Sequence, residues 1–94
     1  MGALFELLGS LGTLFLSFTK DVTEEEIAKN IKFLQEYEWF QEYLNDNKFE
    51  NLIREHKDVR YVIGKFNIEK MRRNIEYRIK YQKKIQKVLL ENSN

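Results

Sequence analysis

The chain has 94 residues, room for one domain and not two. Sixteen Lys and Arg stand against fifteen Asp and Glu, 33% of residues are charged and 43% are apolar, a balance that argues for a compact fold and against a disordered charged tail. The absence of Cys and Pro excludes disulfide scaffolds, zinc fingers, thiol catalysis and Pro-rich linkers, and a single His is too few for a His-based metal site.

Four helical segments are expected in chain order. The first is Ala3 to Phe18. Leu4, Leu7, Leu8, Leu11, Leu14, Phe15 and Phe18 recur at helical spacing and share one arc, which Phe5 and Leu16 widen. Glu6, Ser10, Thr13 and Ser17 lie opposite. Gly9 and Gly12 each cost roughly 1 kcal/mol relative to Ala in a helix, so close packing is a reason to keep them. The segment carries neither a basic n-region nor an Ala-x-Ala site, so a secretory leader is not expected. The apolar stretch Ala3 to Thr19 would reach about 25 Å as a helix, short of the ~30 Å hydrocarbon core. Leu4, Phe5, Leu8, Leu11, Phe15 and Phe18 are therefore read as core, as a partner-docking face or as a membrane-surface face, with a short span the least favoured alternative.

The second segment starts at Thr23, where Thr23-Glu24-Glu25-Glu26 has the pattern of a capping box with three acids in the first turn. Ile27, Ile31, Leu34, Tyr37, Phe40 and Leu44 form its inner stripe, and Asn45-Asp46-Asn47 ends it. Phe33, Tyr37, Trp39, Phe40 and Tyr43 are more aromatic surface than one stripe needs, which marks them as candidate protein-interface residues.

The third runs from about Lys48, with Phe49, Leu52, Ile53, His56, Ile63 and Phe66 on one face. Val59, Tyr61 and Ile63 alternate as in a strand, but no second strand exists to pair with them, so helix is expected with a kink near Asp58 or Gly64. His56 has no second His or Cys to complete a site and is read as a half-buried or surface histidine. The fourth runs from Asn67, which suits an N-cap, to about Glu91, with Ile68, Met71, Ile75, Ile79 and Leu89 on one inward arc and Ile85 at its edge. Arg73, Tyr77, Lys80, Tyr81, Lys84 and Lys87 form a basic face on its other side, a pattern compatible with phosphate contact and base stacking.

Residues 1–66 hold eight basic and twelve acidic groups, whereas residues 67–94 hold eight basic and three acidic. Complementary packing of the acidic second and basic fourth helices is the simplest reading, although surface pairs contribute only about 0–1 kcal/mol each. The expected architecture is all-α: a single domain over 1–94, a small bundle of three or four amphipathic helices, with residues 1–19 an apolar N-terminal helix, residues 20–94 the bundle core and the last helix long. No phosphate loop and no nucleophile–base pair is recognisable, so a non-enzymatic chain without cofactor or metal is expected. The leading expectation is a protein–protein interaction module, an adaptor or assembly subunit that self-associates or binds a protein partner in the cytoplasm. A peripheral membrane protein held at the inner face by residues 3–18 is the second, and nucleic-acid binding through the basic face is the third.

Overall fold

A computed structural model describes residues 22–93, and every described element is helical. The expectations for residues 3–18, including Leu4, Phe5, Leu8, Leu11, Phe15 and Phe18, lie outside these residues. Where three long helices are expected over 22–93, six shorter ones occur: α1 (Glu24–Leu34), α2 (Glu38–Leu44), α3 (Asn47–Glu55), α4 (Lys57–Lys65), α5 (Ile68–Arg73) and α6 (Ile75–Glu91). Each expected helix is cut once, and the cuts have local causes.

The capping box forms at the start of α1. Glu26 N donates to Thr23 Oγ1 at 3.1 Å and Thr23 N donates to Glu26 Oε1 at 3.0 Å. The chain then turns at residues 35–37, with Tyr37 extended. No Pro or Gly forces this turn. It resolves the excess aromatic width: Phe33, expected on the flank, and Phe40 are both buried once α2 departs from the line of α1. Asp46 caps α3 by accepting from Lys48 N at 3.0 Å.

The second cut falls at His56, two residues before Asp58, the nearer of the two positions expected for a kink, while Gly64 lies within α4. Its Nδ1 accepts from Asp58 N at 3.2 Å and Val59 N at 3.4 Å, so the imidazole acts as the N-cap of α4. Val59 to Ile63 are helical, as expected. Asn67 caps α5 through Lys70 N at 3.0 Å, as its sequence position implies. Asn74 does the same for α6 through Tyr77 N at 3.0 Å, and this cap cuts the expected long helix. Arg78 reinforces the corner by donating from Nε to the Met71 carbonyl at 3.0 Å.

α4 sits at the centre, packed on α1, α3 and α6, while α2 lies on α3 and α5 on α6. Leu34, Phe40, Ile53, Val59, Ile63, Met71, Ile85 and Leu89 are fully buried. Gly64 permits the closest approach, because a Cβ there would lie 2.7 Å from Ile27 Cγ1 and nearer still to Val22 Cγ1. Two polar side chains tie elements together. Buried Asn30 donates from Nδ2 to the Ile63 and Phe66 carbonyls at 2.9 and 3.1 Å. Arg60 donates to the Ile53 and Arg54 carbonyls at the end of α3 and to Glu24 Oε1 of α1. The acidic start of α1 is thus paired with α4, in place of the expected pairing with the last helix.

Candidate interaction surfaces

The cut at Asn74 changes which face of α6 turns inward. Tyr81, Ile85 and Leu89 are buried. Ile75 and Ile79, expected in the core, are instead 62% and 46% exposed, and Leu90 is 54% exposed. At 100° per residue, Ile75, Ile79, Gln82, Gln86 and Leu90 fall within about 80° of arc, centred about 100° from the buried arc. The stripe runs about 22 Å along the helix. Packing α6 through both arcs would need a further helix beside it, and none of the described helices takes that place.

The aromatic residues of the second expected helix divide. Phe33 and Phe40 are buried and unavailable to a partner. Tyr37, Trp39 and Tyr43 are half-buried around them. Trp39 and Tyr43 meet edge to face at 6.3 Å between ring centres, and Tyr43 meets Phe49 of α3 in the same way at 4.9 Å. This forms a continuous ridge across α2 and α3. Spacing within one helix does not mark Phe49 as an interface residue; only the return of α3 against α2 brings it to Tyr43.

The basic face also divides. Arg73 lies on α5 beside Glu69, at 3.8 Å, and is separated from the others by the corner at Asn74. Tyr77 accepts a hydrogen bond from Asn67 N at 2.8 Å and carries the Lys70 ammonium over its ring. Tyr81 is buried, and its ring carries the Lys84 ammonium 4.8 Å from its centre. Burial raises the Tyr81 hydroxyl above the ordinary tyrosine range, and the neighbouring Tyr77 adds to this. These two rings therefore offer no free face for a stacked base. Lys80, Lys84 and Lys87 remain exposed, and Lys65 and Tyr61 of α4 line a groove together with Lys84 and Lys87. Periodicity within one helix could not reveal that contribution from a second element.

A larger hollow of about 650 Å³ lies between the end of α1, the end of α4 and α5. Its walls mix Lys29, Lys32, Arg72 and Lys65, which it shares with the smaller groove, with Glu26, Glu36 and Glu69, so it favours no ligand of one sign. His56 serves as a cap, and among the described residues no group of three or more His, Asp or Glu is placed to hold a metal ion. Among them, too, no helix is long and apolar enough to cross a membrane. The chain matches no protein-family model, no curated protein and no solved structure.

Proposed function

We propose that this chain is a non-enzymatic protein–protein interaction module, a subunit that assembles through the outer face of α6. The supporting observation is the stripe of Ile75, Ile79 and Leu90, three large aliphatic side chains exposed on one face of a 17-residue helix. Isolated exposed apolar residues are ordinary, but a helical stripe of them costs solubility unless it is covered. The occupant we assign is a second copy, with the two α6 helices antiparallel. Two isoleucines at one end of the stripe then meet Leu90 of the other copy, and the amides of Gln82 and Gln86 meet near the two-fold axis. Such an arrangement is self-complementary, as a two-fold interface requires.

The ridge of Trp39, Tyr43 and Phe49 supplies a second surface, suited to a different protein partner. Sedimentation equilibrium of the full chain at micromolar concentrations tests the reading. A dimer that Ile79→Glu or Ile75→Glu converts to a folded monomer is expected, because both side chains are exposed within one copy. A wild-type chain that stays monomeric throughout would overturn it.

A further inference from the structure

A second site lies on the opposite flank of α6, independent of the assembly face. Lys65 of α4 and Lys84 and Lys87 of α6 line a groove of about 350 Å³ together with Tyr61 and Tyr81. Val62 and Val88 give it an apolar lining, and Glu91 is the one acidic residue that lines it. None of Lys65, Lys80, Lys84 and Lys87 is paired with a carboxylate among the described residues.

The ammonium groups are ordered by rings instead: Lys65 lies 5.2 Å from the centre of Tyr61, and Lys84 lies 4.8 Å from the centre of Tyr81. Partial burial depresses the Lys84 pKa, and Lys80 and Lys65 depress it further by like-charge repulsion. The groove thus gathers positive charge on ordered side chains, at a cost that a bound anion would relieve.

We propose that this groove binds a small soluble anion carrying two or more clustered phosphate groups. The three lining ammonium groups and Lys80, close enough to repel Lys84, stand against one carboxylate, a net charge of about +3 (four minus one) that a single phosphate, at about −1.5 to −2, does not neutralise. Lysine binds phosphate as a mobile point charge and needs no planar fork, and the ammoniums come from two helices on either side of the groove. A single-stranded nucleic acid fits less well, because the cations already occupy the ring faces a base would stack on.

The test is an amide chemical-shift titration of the full chain with inorganic pyrophosphate, and separately with inorganic phosphate, at constant ionic strength. Saturable shifts confined to residues near Tyr61, Lys65, Lys84, Lys87 and Val88 are expected, with pyrophosphate about tenfold tighter than phosphate. Lys84→Gln and Lys65→Gln should each weaken pyrophosphate by about tenfold. Lys29→Gln, on the other hollow, should leave it unchanged. Failure to saturate, shifts spread evenly over all lysines, or binding indifferent to Lys84→Gln and Lys65→Gln would each overturn the proposal. Oligomeric state does not enter these readouts, so this site and the α6 assembly face stand or fall separately.

Discussion

Replacing Asn30 by Ala removes the one side-chain amide that bridges α1 to the end of α4. Its Nδ2 supplies both hydrogen bonds to the Ile63 and Phe66 carbonyls, at 2.9 and 3.1 Å, and the residue is 2% exposed. A buried acceptor left without its donor costs about 1–3 kcal/mol, so two such acceptors, partly relieved by water entering from the adjoining hollow, cost about 2–4 kcal/mol together. That is a large share of the roughly 5–15 kcal/mol that holds a small domain folded. Urea unfolding followed by the fluorescence of Trp39, the single tryptophan, measures the loss. With about 4–8 °C of melting temperature per kcal/mol in a domain of this size, a fall of at least about 8 °C is expected.

Asn30→Asp separates donation from volume. A carboxylate facing two carbonyl oxygens donates nothing, so this variant should be less stable than Asn30→Ala at neutral pH. Burial and the carbonyls would raise its folded-state pKa, so its stability should recover as pH falls through that raised value. A loss below about 0.5 kcal/mol for Asn30→Ala would refute the assignment of these hydrogen bonds.

Three further outcomes follow from the geometry. Gly64→Ala should destabilise by about 1–3 kcal/mol through overpacking against Val22 and Ile27, whereas helix propensity alone predicts a gain of about 1 kcal/mol; thermal melts give the sign. His56→Ala should cost about 1 kcal/mol in chemical unfolding by removing the cap of α4, and His56→Asp should restore it; equal losses for both would contradict the capping role. The Tyr81 hydroxyl, raised first by burial, favours its neutral form in the fold. Stability is therefore full below the ordinary tyrosine pKa and lost as pH rises through the raised folded value, and Tyr81→Phe should lessen that alkaline loss.

Local chemistry was easiest to read. Thr23 with Glu26 and the amide of Asn67 have caps at fixed offsets, and both form where the sequence places them. Burial of Ile27, Leu34, Ile53, Ile63, Met71 and Leu89 follows from helical spacing in the same way. What periodicity concealed was where each run is cut. His56 and Asn74 are caps inside otherwise continuous helical patterns, and neither is announced by Gly or Pro. Cutting at Asn74 frees α6 to bury Tyr81, Ile85 and Leu89 and turns Ile75 and Ile79 outward, so a stripe that reads as core is exposed. The candidate surfaces changed for the same reason. Phe49 joins Tyr43, and Lys65 joins Lys84, only through contacts between separate helices.

Antiparallel pairing of α6 with α6 of a second copy is tested most directly by distances between single spin labels, which a chain without cysteine accepts at one chosen site. Labels at Lys83 and at Glu76, introduced as Lys83→Cys and Glu76→Cys, sit beside the stripe without replacing it. At 1.5 Å rise per residue, with the axis near the middle of the stripe, the two Lys83 positions lie almost level and the two Glu76 positions lie about 20 Å apart along the helices. The account predicts a clearly shorter label distance at Lys83 than at Glu76, and loss of both couplings on adding Ile79→Glu. Equal distances at the two sites, or no dipolar coupling at either, would contradict it.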